Sequence, residues 1–237
     1  MIDRETNIDF NAKSLWHGTS TIWMDSICQS GLGAINIAEA YNLIELLGFL
    51  YSEILRLNIN APELESRRQT ISAIITRKPL YHDNIALNYK YDGVYVSMSP
   101  LTAAKYACSI PSGSELLDYC LFLLYILRKS NIEIPNELNR INIMSMLNHQ
   151  AAPILVEVTS FNDRELVLED GTDAQAKLHE IRNIYPKLTI EEHFRLIQFS
   201  NFKLLKSASP STLKFYQIDY SGDPLGSNFR PTYTLIK

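Results

Sequence analysis

The chain has 237 residues, 46% of them hydrophobic, which is enough to bury the core of one large domain. Its formal net charge is −4, so general affinity for phosphate backbones is disfavoured. No apolar run is long enough to cross a bilayer, and the polar residues 1–13 do not resemble a signal peptide. We therefore expect a cytoplasmic protein, or one delivered into a target cell without a leader, and no membrane partner.

Sequence signatures of metal, redox and common cofactor sites are missing. The cysteines Cys28, Cys108 and Cys120 lie among apolar residues without Cys-x-x-Cys spacing, which indicates buried free thiols in a reducing compartment. The histidines are scattered, none with a second ligand three or four residues further on, so a metal site is not predicted. Gly-x-Gly-x-x-Gly, P-loop, His-Glu-x-x-His and Gly-x-Ser-x-Gly patterns are also absent from the sequence.

The first part of the chain predicts a strand, a tight turn and a short helix. Residues 14–16 predict a strand that ends at His17-Gly18-Thr19, Ser20 or Thr21 fits a helix N-cap, and Gly31-Leu32-Gly33 ends the helix. Apolar residues then recur at three- and four-residue intervals over 37–58 and 62–77, which predicts a helical insertion at about residues 35–78. Residues 78–92 predict a loop.

The rest of the chain alternates between strand and helix patterns. The run 94–97 predicts a strand, and Ser99-Pro100 is an N-cap followed by proline at the first position of a helix over 100–109. Further helices are predicted at 113–130, 136–149, 173–183 and 189–199, and further strands at 154–158, 165–168, 202–205, 212–218 and 231–236. Without linkers or repeats, the sequence predicts a single α+β domain, 1–237, with mostly antiparallel short strands.

Two groups of residues are candidates for a binding site. Gly18 at a strand end would let a ligand approach the backbone, and His17 beside it supplies a donor or an acceptor, although an ordinary turn explains this tripeptide equally well. Tyr95 on a strand and Tyr106 eleven residues later on the next helix can face one cleft and form a slot for a flat aromatic ligand. Two core tyrosines are the alternative interpretation.

Taken together, these residues resemble the ADP-ribosyltransferase superfamily, in the branch that includes diphtheria toxin and the poly(ADP-ribose) polymerases. His17-Gly18-Thr19, followed by a helix and Gly31-Leu32, resembles the first motif of that branch. Gly93-Val94-Tyr95-Val96 with Ala104-x-Tyr106 resembles the second motif, and the strand at 153–158 is similar to the one that follows it. The likeness covers the whole chain loosely and few residues specifically.

The resemblance implies a split antiparallel β-sheet core and NAD as the bound substrate. His17 would hydrogen-bond the adenosine ribose, the Gly18 backbone would pair with the nicotinamide carboxamide, and Thr19 would lie by a ribose. Tyr95 and Tyr106 would lie on the two sides of the nicotinamide. The reaction would cleave the bond between nicotinamide and ribose through an oxocarbenium-like transition state and transfer ADP-ribose to a macromolecular acceptor, either protein or nucleic acid.

The sequence departs from the family pattern at two positions. Ala103 stands where the family has a serine that binds the nicotinamide amide, so Ser97 or Thr102 is expected to take that contact. The family's late glutamate falls at Asn201 or Phe202, and we take Asn201 as the third catalytic position. Nearby alternatives are Gln198 and Glu165. The missing acid favours transfer of single ADP-ribose units, an unorthodox mechanism or, alternatively, an inactive NAD-binding or interaction module with the same fold.

Two further expectations follow less directly. One of the charged residues Arg67, Arg68, Lys78 and Lys90 would contact the NAD pyrophosphate, although a solvated face is the preferred interpretation of these side chains. A toxin, effector or phage-defence protein of this kind often has a neutralising antitoxin partner. A relative of RNA 2′-phosphotransferases is disfavoured because the chain has an acidic charge balance and lacks a histidine in the second motif.

Overall fold

The structure, a computed structural model, describes residues 13–82, 85–87, 89–147, 150–188, 190–198 and 200–237. The strands are β1 (Leu15–Ser20), β2 (Leu80–His82), β3 (Ile85–Leu87), β4 (Tyr95–Ser97), β5 (Pro153–Val158), β6 (Leu166–Leu168), β7 (Asn201–Leu204), β8 (Leu213–Ser221) and β9 (Arg230–Leu235). The α-helices are α1 (Thr21–Ser30), α2 (Ile37–Ala40), α3 (Leu43–Arg56), α4 (Pro62–Glu65), α5 (Arg68–Thr76), α6 (Pro100–Ser109), α7 (Glu115–Leu127), α8 (Ile143–Met146), α9 (Gln175–Ile184) and α10 (Ile190–Ile197).

The chain divides into two compact units. The first consists of Met1–Ile35, Gly93–Ser114 and Ala151–Lys237, of which residues 1–12 lie outside the described part. The second consists of Asn36–Asp92 and Glu115–Gln150. The predicted helical insertion at about residues 35–78 falls in the second unit, together with α7, α8 and the β2–β3 hairpin.

A seven-stranded sheet forms the first unit. Its strand order is β6-β7-β4-β1-β5-β8-β9, and every neighbouring pair is antiparallel. Helices α1, α6, α9 and α10 belong to the same unit, so the predicted mixed α+β class with short antiparallel strands is confirmed. None of the helices in the described ranges combines the length and the hydropathy that crossing a bilayer requires.

Strand β1 lies at the centre of this sheet and is longer than predicted. It pairs with β5 along its whole length, from Leu15↔Val158 to Ser20↔Pro153, which carries the strand through His17-Gly18-Thr19 rather than ending before it. On its other side the register with β4 consists of one pair, Trp16↔Ser97. The sheet therefore parts beside His17, where β1 and β4 diverge.

Helix α6 covers one face of β1. Ser99 accepts a hydrogen bond from the Thr102 backbone N–H, and Pro100 occupies the first helical turn, as the sequence predicted. The helix buries a stripe of small residues against the sheet, and this lets its backbone approach closely. The buried cluster comprises Trp16, Ala103, Ala104, Ala107, Cys108, Leu155, Ile218, Phe229 and Tyr233.

In the second unit α3 and α7 pack together through buried leucines and isoleucines. The helix predicted over 37–58 is interrupted because Asn42 adopts a left-handed conformation, with φ 51°. Asn36 Nδ2 donates to the Tyr91 carbonyl at 3.1 Å, and the Tyr91 hydroxyl donates to Glu115 at 3.0 Å. These bonds join residues near both ends of the Asn36–Asp92 segment to the start of the Glu115–Gln150 segment.

Two predictions for this unit are wrong. Residues 78–92 were predicted to be a loop, but the antiparallel β2–β3 pair lies within them. The helix predicted over 136–149 is reduced to α8, because turns occupy residues 136–142 and Asn142 is left-handed, with φ 47°. The end of that prediction, residues 148–149, lies outside the described residues. The three cysteines are free, as predicted, but the predicted burial is confirmed for Cys108 and Cys120 only, because Cys28 is partly exposed.

Candidate functional site

His17 lies where β1 and β4 part. The carbonyl of Val94 accepts a bond from Leu204 on β7, so the next carbonyl, that of Tyr95, points the opposite way, toward β1. Because the β1–β4 register stops at Trp16↔Ser97, it does not continue to Tyr95. The Nδ1 atom of His17 lies 2.8 Å from this carbonyl oxygen and satisfies it.

This contact fixes the chemical state of the ring. A carbonyl oxygen can only accept, so Nδ1 carries the proton and donates it, which leaves Nε2 of the neutral ring as an acceptor. Burial lowers the pKa of His17 below its ordinary 6.5, and the bond to the Tyr95 carbonyl offsets part of that effect. At neutral pH the imidazole is therefore uncharged and can accept a hydrogen bond from a ligand hydroxyl through Nε2.

Gly18 directs its backbone polar groups toward β4 and packs closely against α6. The Thr21 N–H donates to the Ala152 carbonyl at 2.9 Å, so by alternation the N–H and C=O of Gly18 point away from β5, toward the side where β4 has diverged. A Cβ atom at Gly18 would lie 1.8 Å from the Ala103 carbonyl oxygen on α6. The close packing of α6 is therefore enough to explain why this residue is glycine. The N–H and C=O of Gly18 remain directed toward the gap between β1 and β4.

Tyr95 and Tyr106 lie on the same side of the sheet. Residues paired across strands share a face, so Tyr95 and Ser97 project to the face that carries Trp16 and Gly18. This is the face on which α6 packs. Tyr95 is partly buried, and Tyr106, on α6, is 39% exposed. The arrangement meets the first requirement of the predicted aromatic slot.

Two predicted contact residues are buried and have structural partners. The Thr19 hydroxyl donates to the Gly113 carbonyl at 3.3 Å, and the residue is 2% exposed. Ser97 is 3% exposed, and its hydroxyl accepts from the Ser99 N–H at 3.1 Å. Both side chains hold the loops that flank the parted strands.

The structure places the third predicted position, Asn201, in one row with Ser97 and Trp16, whereas the His17 side chain projects from the other face of β1. Asn201 begins β7 and pairs with Ser97, which in turn pairs with Trp16, so three strands place residue 201 in line with residue 16. The Asn201 amide nitrogen donates to Glu169 at 2.9 Å. Phe202 is fully buried and pairs with Val96 and Leu168, so its side chain belongs to the core.

The remaining alternatives are less well placed. Glu165 precedes β6, at the opposite end from Glu169, and pairs with Lys206 at 3.4 Å. Gln198 donates to the Arg195 carbonyl within its own helical turn. Thr102 Oγ1 is buried without a hydrogen-bond partner among the described residues, whereas Ala103 packs against Gly18.

Sequence reasoning missed two charged residues near this site. Lys203 on β7 pairs directly with Tyr95 on β4. Its side chain packs over Gly93, where a Cβ atom would lie 2.8 Å from Lys203 Cε. Glu169 is the second. The alternating pattern of β7 could have indicated Lys203, because it shares a face with Asn201, but Glu169 depends on a strand pairing that the sequence does not specify.

The four charged residues considered for the pyrophosphate all belong to the second unit. Arg67 lies over the rings of Tyr119 and Phe122, and Arg68 pairs with Glu65 at 3.2 Å. Lys78 and Lys90 line a pocket of about 500 Å³ within that unit. Arg67 and Arg68 therefore have local partners of their own.

Among the described residues, no group of three or more histidine, cysteine, aspartate or glutamate side chains is placed to hold a metal ion. Comparison of the chain with known protein families, curated proteins and solved structures finds no match. Function is therefore inferred from the geometry of the parted strands and from the motifs that the sequence carries.

Proposed function

We propose that the chain is an NAD-dependent mono-ADP-ribosyltransferase, whose sheet is of the split antiparallel type expected for that superfamily. It would break the bond between nicotinamide and ribose and transfer ADP-ribose to a macromolecular acceptor, protein or nucleic acid. The observation that carries the proposal is the His17–Tyr95 hydrogen bond at the point where β1 and β4 part. It holds the first two motifs together although they lie far apart in sequence.

The proposed roles follow from the geometry of each group. The Nε2 of neutral His17 accepts from a ribose hydroxyl, and the outward-facing N–H and C=O of Gly18 match the acceptor and donor of a carboxamide. Tyr95 and Tyr106, on one side of the sheet, provide aromatic faces for the nicotinamide ring. Thr19 and Ser97 are buried and bonded, so their contribution is to hold the loops around the bound dinucleotide.

Lys203 supplies a positive charge opposite Tyr95. A phosphate oxygen of NAD is the part of the substrate that such a side chain attracts. We propose this role for Lys203 because it is paired with Tyr95, on the face of the sheet that carries α6. The protein would act in the cytosol of the producing cell or of a target cell, and an antitoxin would neutralise its activity there.

A second candidate is a non-catalytic module that binds NAD. The non-acidic Asn201 at the third motif favours it, because a carboxylate ordinarily stabilises the developing positive charge on the ribose. This module would use the same His17, Gly18 and tyrosine contacts and would leave the dinucleotide intact.

One experiment separates these candidates. The full chain is titrated with NAD by calorimetry and then incubated with labelled NAD and cell extract, while released nicotinamide is measured. Binding with nicotinamide release and labelled macromolecules supports the transferase. Binding without release supports the module, and absence of both overturns the assignment of the site to NAD.

Matched variants test the residues. His17→Ala and Tyr95→Ala are each expected to abolish transfer without unfolding the chain. The controls are His179→Ala on α9 and Tyr125→Ala on α7, both exposed side chains outside the proposed site, and these are expected to retain wild-type activity. Full activity in both site variants would contradict the assignment.

A further inference from the structure

The end of β6 brings a carboxylate next to Asn201. The register Leu168↔Phe202 between β6 and β7, continued by one residue, places Glu169 across from Asn201. Glu169 Oε1 accepts a hydrogen bond from Asn201 Nδ2 at 2.9 Å. Glu169 is exposed, so a bound substrate can reach its carboxylate.

This carboxylate lies near the face of the sheet that carries Tyr95 and α6. Asn201 and Ser97 pair across β7 and β4, so their side chains project from the same side of the sheet as Tyr95. Glu169 lies in the turn that follows β6 and reaches this side through its bond to Asn201. Neighbouring strands are about 4.8 Å apart, which places Asn201 about 10 Å from the backbone of Trp16. The acidic side chain extends from this turn toward β7, as its bond to the Asn201 amide shows.

We propose that Glu169 is the catalytic carboxylate of this site and that Asn201 is the positioning residue that orients it. This inference rests on the proposed function. A carboxylate is absent at the expected position in the sequence, and the turn that follows β6 supplies one within hydrogen-bonding distance of that position.

The bond between C1′ of the ribose and the nicotinamide nitrogen breaks, and its electron pair leaves with the nitrogen, which gives neutral nicotinamide. The positive charge passes to C1′ and the ring oxygen of the ribose, where the negative charge of Glu169 stabilises it. The acceptor nucleophile then bonds to C1′ and releases its proton to Glu169 or to water. The net reaction consumes no oxidant or reductant.

The test compares nicotinamide release by the wild type with that of Glu169→Gln in the full chain. The substitution keeps size and hydrogen bonding but removes the charge. Loss of one preorganised charge-stabilising group costs about 10²- to 10³-fold in kcat, so a decrease of that size is expected, with KM for NAD changed less than about threefold. Glu180→Gln is the matched control, because Glu180 is an exposed carboxylate on α9 that pairs with Lys177. It is expected to retain wild-type rates.

A rescue variant separates charge from structure. The double variant Glu169→Gln with Asn201→Glu places a carboxylate directly on β7. Because the proposed role of the carboxylate is to stabilise charge, we expect the kcat of the double variant to be at least about tenfold higher than that of Glu169→Gln alone. A purely structural Glu169–Asn201 pair would show no such recovery. Thermal unfolding of each variant confirms that the fold is retained.

The outcomes distinguish this inference from the proposed function. If the wild type binds NAD without releasing nicotinamide, the transferase proposal fails and the inference falls with it. If the wild type releases nicotinamide and Glu169→Gln does so within about twofold of the control, the inference alone is overturned. A loss confined to Glu165→Gln, or a rise in KM at constant kcat for Glu169→Gln, also overturns it.

Discussion

The Nδ1 atom of His17 lies 2.8 Å from the carbonyl oxygen of Tyr95, a residue 78 positions away in the chain. Where β1 and β4 stop pairing, the His17 side chain forms the hydrogen bond to the Tyr95 carbonyl that a backbone N–H of β1 would otherwise form. The imidazole thus has a structural nitrogen, Nδ1, and an accepting nitrogen, Nε2. One residue both holds the parted strands in place and presents an acceptor beside them.

His17→Phe is expected to lower the free energy of unfolding by about 1–3 kcal/mol, because the Tyr95 carbonyl loses its donor in a partly buried environment. Urea unfolding measures the change. His179→Phe, at an exposed position of α9, is expected to shift stability by less than about 0.5 kcal/mol. Equal effects in the two variants would show that the Nδ1 bond carries no stability.

The lowered pKa of His17 makes stability depend on pH in a definite direction. The unfolded chain binds a proton near pH 6.5, whereas the folded ring resists protonation until a lower pH, because burial disfavours the charged form. The contribution of His17 is therefore complete above pH 6.5 and decreases as the pH falls from 6.5 to the folded pKa. Unfolding free energies measured over this range should show a slope that His17→Phe reduces. An unchanged slope in the variant would contradict this origin.

Affinity for NAD should follow the folded pKa rather than the ordinary one. The neutral ring keeps Nε2 as an acceptor, so calorimetric affinity for NAD is expected to stay constant down to pH 6.5 and to weaken only below it. A decrease that is already half complete at pH 6.5 would show that the ring titrates normally.

Gly18→Ala is expected to destabilise the chain by about 1–3 kcal/mol, because its Cβ would lie 1.8 Å from the Ala103 carbonyl and would force α6 away from β1. Gly48→Ala on α3 is the matched control. Its nearest neighbour would be Ile75 at 3.7 Å, and replacing a mid-helix glycine stabilises by about 0.5–1 kcal/mol. Thermal unfolding of both variants should therefore give shifts of opposite sign.

Glu157 forms a buried network that the sequence did not single out. Its carboxylate accepts from Ser14 at 2.6 Å and from the Tyr216 hydroxyl at 2.7 Å. Burial, followed by the bond and the negative charge of Glu157, raises the pKa of Tyr216 well above 10. Since the unfolded tyrosine ionises near pH 10 and the folded one does not, stability from this group is lost as the pH rises above 10.

Glu157→Gln should lower the pKa of Tyr216, because it removes the negative charge while keeping an amide near the hydroxyl. Ultraviolet absorbance of tyrosinate during an alkaline titration of the folded chain measures this change. The wild type should show one tyrosine that ionises later than in the variant. Identical titrations would mean that burial by itself sets the pKa.

The parts of the fold that sequence predicted well are those with local signals. Ser99 followed by Pro100 marked the start of α6, and Gly31 marked the end of α1, because caps act within a few residues. The break at Asn42 was missed because apolar spacing continues across it, and the left-handed residue lies between two good helix patterns. The extension of β1 through Gly18 was missed because β5, a distant strand, provides its partner.

The candidate site, like the fold, could be predicted only where its residues lie close together in the sequence. His17 and Gly18 were recognised as neighbours, and Tyr95 and Tyr106 were paired by their spacing. The adjacency of Asn201 to Ser97 and of Glu169 to Asn201 depends on the order β6-β7-β4, which spacing along the chain does not encode. The position of the Glu169 carboxylate beside Asn201 could therefore not be predicted from the sequence.

The hydrogen bond between Asn36 and Tyr91 affects the folding of the chain during synthesis as well as the stability of the folded chain. During synthesis β1 emerges long before β4, β5 or β7, so its edges have no partners until late. A folded Asn36–Asp92 segment whose ends meet shortens the stretch that must close to bring β4 to β1, and so reduces the entropy cost of that closure. Because residue 201 is made late in synthesis, incomplete products of translation would lack the row formed by Trp16, Ser97 and Asn201.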